Sequence, residues 1–241
     1  MKKRSSMRVE SYGISDIGLV RENNEDVWLS MPRYRFFALA DGMGGQNGGE
    51  IAAKEAIGEL SESIKYRVHP QKKAKLPTRD LIYHLRSAID QANMRVFSLG
   101  NEKKFLKGMG TTLCCLYLYE DSVIYAHVGD SRIYRYRDRE LKQLTQDHCL
   151  RYDLKHPKKH IITRAIGTST KVEPEIASVT AKKGDVFFMC TDGLSDFVSL
   201  ADIETLLQRK RSLKYTAKCM IDAAKKRGSG DNITTLFVKI R

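Results

Sequence analysis

The chain has 241 residues, 41% of them apolar, and carries 42 Lys and Arg against 29 Asp and Glu, a formal charge of +13. That apolar share is ample for a packed core at this length, no stretch approaches the roughly 20 apolar residues of a membrane helix, and the five cysteines are odd in number with no Cys-x-x-Cys spacing, which excludes a disulfide framework. The expectation is a reduced, cytoplasmic protein with no membrane span, whose positive field draws anionic partners without setting the fold. Met1-Lys2-Lys3-Arg4 is basic like the start of a signal peptide, but no apolar core segment follows it.

Loose alternation from Val9 to Ile14 reads as a first strand. A loop from Ser15 to Asp26 leads into Val27-Trp28-Leu29, a Met31-Pro32 turn, and an apolar run from Arg35 that stops at Asp41-Gly42. Asp-Gly is a hairpin signal, yet no alternating strand follows it; Ala53, Ile57, Leu60 and Ile64 instead mark one face of a helix. Tyr66 to Pro77 is basic, carries two prolines and reads as a loop. A second helix is expected from Thr78 as N-cap, with Leu81, Leu85, Ala88, Ala92, Val96 and Leu99 on one face. Two hairpins follow, Gly110 to Val128 and Arg132 to Leu144, expected to form one meander of four strands. Thr145 to His160 reads as a loop, and its histidines His148, His156 and His160 fit no standard zinc spacing. Two strands, Val172 to Thr180 and Asp185 to Thr191, precede a helix capped by Ser199, a helix ending at Lys225-Lys226-Arg227-Gly228, and a last strand from Ile233 to Ile240. Long helices between groups of strands argue for α+β layering in a single domain, residues 1–241.

One feature recurs: Asp41-Gly42, Gly129-Asp130, Asp192-Gly193 and Gly230-Asp231 each put an aspartate beside a glycine at the end of an apolar strand, and Glu25-Asp26 adds a fifth acidic point. Carboxylates gathered at one end of a sheet core repel by about 3 kcal/mol per pair at about 5 Å and an effective dielectric of about 20, so a positive partner is required. Hard oxygen donors without paired His or Cys favour Mg²⁺ or Mn²⁺ over zinc, and such ions activate water for attack on phosphorus. Arg21, four residues before Glu25 in a glycine-containing loop, is suited to holding a phosphate in bidentate fashion.

These residues resemble a known family. Ser15-Asp16 through Gly18, Arg21 and Glu25-Asp26, then Asp41-Gly42-Met43-Gly44-Gly45, Gly110-Thr111-Thr112, Val128-Gly129-Asp130-Ser131-Arg132, Thr145 with Asp147-His148, Thr163-Arg164-Ala165 with Gly167, Thr191-Asp192-Gly193 and Gly230-Asp231-Asn232-Ile233-Thr234 match in order the motifs of the metal-dependent Ser/Thr protein phosphatases of type 2C, bacterial members above all. The resemblance implies a four-layer αββα sandwich, two central antiparallel sheets flanked by helix pairs. It implies two Mn²⁺ or Mg²⁺ ions bridged by Asp41, with the Gly42 carbonyl, Asp192, Asp231, Glu25 and Asp26 contributing, and a weaker third ion at Asp130 and Asp192. Arg21 takes the substrate phosphate, and phosphoserine or phosphothreonine is hydrolysed by direct attack of the bridging water. Expected partners are phosphorylated proteins, Ser/Thr kinases and their substrates, with the chain a monomer. Two departures stand out. Met43 occupies the place of a histidine that serves some relatives as proton donor, and the span between Asp147-His148 and Thr163-Arg164, which carries a flap in relatives, is short.

Two other readings compete. A catalytically weak phosphopeptide-binding module would be expected to have lost a ligand, and here the acid set is complete. A nuclease or nucleic-acid binder would explain the charge and the interleaved Arg132-Ile133-Tyr134-Arg135-Tyr136-Arg137. A half-exposed strand explains that run equally well, and no nucleic-acid motif accompanies it.

Overall fold

A computed structural model describes residues 7–44, 48–68, 76–151 and 160–241. In chain order the strands are β1 (Val9–Asp16), β2 (Asp26–Met31), β3 (Phe36–Met43), β4 (Gly110–Thr111), β5 (Leu113–Tyr119), β6 (Ser122–Val128), β7 (Arg132–Arg137), β8 (Glu140–Gln143), β9 (Cys149–Arg151), β10 (His160–Ile162), β11 (Glu175–Thr180), β12 (Val186–Cys190) and β13 (Ile233–Ile240). The helices are α1 (Gly48–Ser63), α2 (Thr78–Glu102), the single turn α3 (Asp192–Ser195), α4 (Leu200–Gln208) and α5 (Leu213–Lys226). One sheet has the order β1-β13-β12-β7-β8; the other runs β11-β6-β5-β3-β2, with β4 paired to the end of β3. Every pairing is antiparallel.

Strand parity explains the layers. In β3, Phe36, Ala38 and Ala40 face α1 and α2, while Phe37 and Leu39 face the opposite sheet. In β12, Phe188 and Cys190 pack toward α4 and α5, and Phe187 and Met189 meet the residues of the other sheet. Strands buried on both faces read as continuous apolar runs, which is why the stretch ending at Asp41 carries no polar alternation. The result is the expected αββα sandwich, with three apolar layers. The central one joins Leu39, Leu116, Phe187, Met189, Leu236 and Val238.

Several expectations change. Both hairpins form, β5 with β6 and β7 with β8, but they lie in different sheets and make no single meander. The chain changes sheet at Gly129, whose φ of +103° reverses the backbone. Strands β11 and β12, adjacent in sequence, also divide between the sheets. Thr78 is the first residue of α2 and Pro77 its cap, without a side-chain hydrogen bond; proline at the start of a helix gives up only an N–H that would be unpaired there. A π-turn, Ile64–Val68, extends α1 into the start of the loop expected from Tyr66, and residues 69–75 of that loop lie outside the described residues. The expected loop Thr145–His160 contributes the ribbon β9–β10; its His156 lies outside the described residues. Ser199 caps α4 as expected, accepting from the Asp202 amide at 3.2 Å.

Because Leu39 is fully buried between the sheets, Leu39→Ala should cost about 2–5 kcal/mol. Urea unfolding checks this as a lower midpoint with an unchanged slope.

Candidate active site

The acidic residues converge where the two sheets end together. Asp26 opens β2 and stands directly opposite Asp41 of β3 in the strand register. Asp192 follows β12 as the first residue of α3, and Asp231 lies in the turn before β13. Asp130 sits in the crossover from β6 to β7. Arg21, Glu25, Asp41, Gly42, Met43, Gly44, Asp130, Ile162, Asp192 and Asp231 line a cleft of about 210 Å³. Every residue singled out from the sequence is in this lining except Asp26. That residue stands behind it, buried, with Oδ2 accepting from the Thr191 hydroxyl at 3.0 Å.

Backbone geometry sets these positions. The Asp41 amide donates to Thr112 Oγ1 at 3.0 Å, and the Asp41 carbonyl accepts from Thr111 Oγ1 at 2.9 Å and from the Thr112 amide at 2.8 Å. A Cβ on Gly42 would lie 2.1 Å from the Gly49 carbonyl oxygen, and one on Gly49 would lie 2.7 Å from the Glu25 carboxylate. Those glycines let the start of α1 close onto the end of β3, so the Glu25 carboxylate meets the amide of Glu50 at the positive end of the helix.

Asn232 is the hub. Its Oδ1 accepts from the Glu25 amide at 2.8 Å, and its Nδ2 donates to the carbonyls of Ile17 and Asn23 at 3.0 and 2.9 Å. One side chain therefore ties the Arg21 loop and Glu25 to the turn bearing Asp231. Thr191 does the same between sheets, donating to Asp26 and accepting from the Thr234 amide at 3.0 Å. Sequence reasoning quoted Thr191, Asn232 and the Thr111-Thr112 pair only as motif members; Thr191 and Asn232 each adjoin an acid, whereas the Thr111-Thr112 pair has none beside it in the chain.

Burial pushes the carboxyls of Asp26 and Asp192 up to about 7, with neighbouring carboxylates adding to it, and lifts Asp41 well above its ordinary value for the same reasons. Asp26 Oδ1 is buried without a hydrogen-bond partner. Among the described lining residues, Arg21 is the one cation. It binds Asp231, Nη2 to Oδ2 at 2.8 Å, with both side chains partly exposed. An all-oxygen donor set with excess negative charge and an orphaned buried oxygen fits hard divalent cations. Asp41, Asp192, Asp231, Glu25, Asp130 and the Gly42 carbonyl are available to hold them.

A sandwich whose sheet ends converge on such carboxylates, with a guanidinium beside them, belongs to the class of divalent-metal phosphohydrolases. Comparison with known proteins narrows the class. The family model for Protein phosphatase 2C matches residues 21–232. The Serine/threonine phosphatase stp of Listeria welshimeri is 34% identical over 240 residues, covering 93% of each chain. Protein phosphatase PhpP of Streptococcus pneumoniae is 31% identical, covering 94% of this chain and 96% of that protein. The crystal structure of the Mycobacterium tuberculosis serine/threonine phosphatase PstP/Ppp superposes with a TM-score of 0.85 at 33% identity, over 97% of this chain and 99% of that one. The PstP catalytic domain in complex with two manganese ions also gives 0.85, at 32% identity, over 98% and 99%. The chain belongs to the protein phosphatase 2C family and is a Ser/Thr protein phosphatase of bacterial type.

The raised carboxyls make a linkage prediction. Groups whose folded pKa lies above the unfolded value stabilise the fold at low pH and lose that contribution as pH rises through the folded value, here about 7. Metal-free protein should therefore melt lower at about pH 8 than at about pH 6, and saturating Mg²⁺ should flatten the difference. Asp41→Asn, which removes one ionisable carboxyl from the cluster, should shrink that fall in metal-free melting temperature between about pH 6 and about pH 8, by about 2–4 °C per kcal/mol of repulsion relieved. Differential scanning calorimetry with and without chelator measures both.

Proposed function

We propose that the chain is a single catalytic domain that hydrolyses phosphoserine and phosphothreonine in proteins by direct attack of water, with two Mn²⁺ or Mg²⁺ ions held by its strand-end carboxylates. The observation that carries this reading is the convergence of Asp41, Asp192 and Asp231, from both sheets, with Arg21 on one cleft. When bound, the ions supply an acidified water and a positive clamp on the phosphoryl oxygens. Asp41, Asp192 and Asp231, with the Gly42 carbonyl and Glu25, would hold these two ions, and Asp130 with Asp192 would hold a weaker third. Asp26, behind Asp41, supports the same charge cluster from the buried side.

Arg21 holds the substrate. Its guanidinium presents a planar fork that matches two phosphate oxygens, and its side chain is half exposed at the mouth of the cleft. Asp231 accepts from that guanidinium at 2.8 Å; a cation held by Asp231 would leave the fork to phosphate, which would link metal and phosphate binding positively. The substrates are phosphoproteins that Ser/Thr kinases produce, and the acidic character of a phosphorylated segment suits a chain of charge +13. PhpP and stp, by their names, are phosphatases of the same kind.

Initial rates on a phosphothreonine peptide test the mechanism. Activity should need Mn²⁺ or Mg²⁺ and be abolished by chelator. Asp192→Asn should lower kcat by about two orders of magnitude or more, the scale on which losing one transition-state contact acts; retained hydrolysis in both conditions would refute the mechanism. Arg21→Ala should raise KM for the peptide while leaving Mn²⁺ affinity within about threefold, a difference under about 1 kcal/mol. Loss of Mn²⁺ binding by calorimetry would instead make Arg21 a structural element of the metal site.

A further inference from the structure

Outside the acidic cleft, the structure assembles a second set of ligand-bearing side chains that no motif connects. His127 of β6, His148 of the segment before β9 and Glu175 of β11 bring one donor atom each within 4.8 Å of the others. Strand pairing sets two of them opposite each other, since Glu175 is the register partner of His127. The two imidazole centroids are 4.2 Å apart, with the ring planes tilted by 32° to each other. The His127 side chain is wholly buried; the backbone at Gln146 and Gly129 acts on its ring, but neither ring nitrogen has a hydrogen bond of good geometry, and a buried imidazole so poorly satisfied calls for an explanation.

We propose that His127, His148 and Glu175 form a zinc site, separate from the cleft. Two imidazoles and a carboxylate are a known zinc donor set that leaves a fourth position for water. With ligand distances of about 2.0–2.2 Å, a tetrahedral ion places its donors about 3.4 Å apart. His127 Nδ1 and Glu175 Oε2 are 3.5 Å apart, too far for a good hydrogen bond and close to such an edge. His148 Nε2 and Glu175 Oε2 are 4.0 Å apart, and all three donors lie within 4.8 Å of one another, so closure needs Glu175, whose side chain is 39% exposed, to shift by about half an ångström and the His148 ring to turn toward His127. Burial lowers the basicity of both histidines, keeping them neutral as ligands require.

Two neighbours oppose the ion. The Gly129 amide donates to His148 Nδ1 at 3.3 Å, and Arg164 Nη1 lies 3.4 Å from His148 Nε2. A neutral imidazole has one lone pair, so it cannot satisfy both donors. Ligation through Nε2 puts the proton on Nδ1, tilts the ring off the Gly129 amide and moves Arg164 toward the Glu173 carbonyl, which it already approaches at 3.5 Å. His148 also links two parts of the cleft: its amide donates to the Gly129 carbonyl at 2.8 Å, and its carbonyl accepts from Thr163 at 2.8 Å. Zinc at this site therefore stiffens the turn carrying Asp130 and the base of the ribbon whose Ile162 lines the cleft.

The test uses the full chain, stripped by chelator and dialysed against Zn²⁺ with a large excess of Mg²⁺ to occupy the oxygen-only cleft. Expected is one zinc per chain in the wild type and in Asp41→Asn, by elemental analysis. His148→Gln and Glu175→Gln, both outside the strand-packed core, should weaken zinc by at least about tenfold, the loss common even for outer-sphere changes. Co²⁺ should give the visible bands of a four-coordinate site in the wild type and neither variant, while Arg164→Gln should tighten binding. The proposal is overturned if all zinc yields to Mg²⁺, or if either glutamine variant binds zinc as the wild type does.

Discussion

Mutual repulsion among carboxylates at one end of the sandwich is the constraint that the surrounding structure answers. Asp26 and Asp41 stand opposite each other on paired strands, where like charges are destabilising. The fold keeps them there by making each backbone position expensive to vacate. Thr111 and Thr112 fix Asp41 from β4 and the residue after it, while Asn232 fastens the Arg21 loop and Glu25 to the β13 turn. Thr191 spans the two sheets. The fully buried central layer behind them, with Leu39, Phe187 and Leu236, cannot yield without opening a cavity. Repulsion is thereby converted into affinity for cations, because the acids cannot relax apart.

The excess of basic residues has a similar local logic. In β7, Arg132 grips Asp147 with three contacts of 2.7–3.1 Å, and Arg137 grips Asp185 at 2.7 and 2.6 Å while also donating to the Thr180 carbonyl. Tyr134 between them is wholly buried and stacks on Phe188 at 4.7 Å. The interleaved basic and aromatic run is thus a strand whose ring is core and whose guanidiniums pin neighbouring loops. The Arg132 pair matters most for the site, because it holds Asp147, and with it His148, beside the Gly129-Asp130 turn.

Local pattern carried most of the fold. Helical periodicity located α1, α2, α4 and α5, and the apolar runs located β3, β5, β6, β12 and β13. What local pattern could not carry was which sheet a strand joins. The chain changes sheet between β6 and β7 through three residues, Gly129 to Ser131, and between β11 and β12 through a turn at Gly184 of φ +96°. Either linker is short enough for a hairpin, and only tertiary packing rules it out. The site was legible because its acids repeat beside glycines. Its supporting shell was not, since a threonine or asparagine next to an acid is common, and only distances of 2.8–3.0 Å distinguish Asn232 from a solvated side chain. His127 was invisible for the same reason: its partners lie 21 and 48 residues away along the chain (148 − 127 and 175 − 127).

Met43 is one of the two departures from the motif pattern that the sequence resembles, and the structure gives it a shape. Its side chain lies at the cleft wall near Gly110, where an added Cβ would come within 3.0 Å of the Met43 methyl. A thioether there can pack but cannot release a proton. Among the described lining residues none is an imidazole, and Arg21 holds its proton too tightly to give it up. A departing serine or threonine alkoxide must therefore take its proton from water or from a carboxyl group. The cleft's carboxyls are the groups whose acidity is most disturbed by burial and mutual repulsion. The same crowding of buried acids that suits the cleft to cations thus also governs which of its carboxyls hold protons.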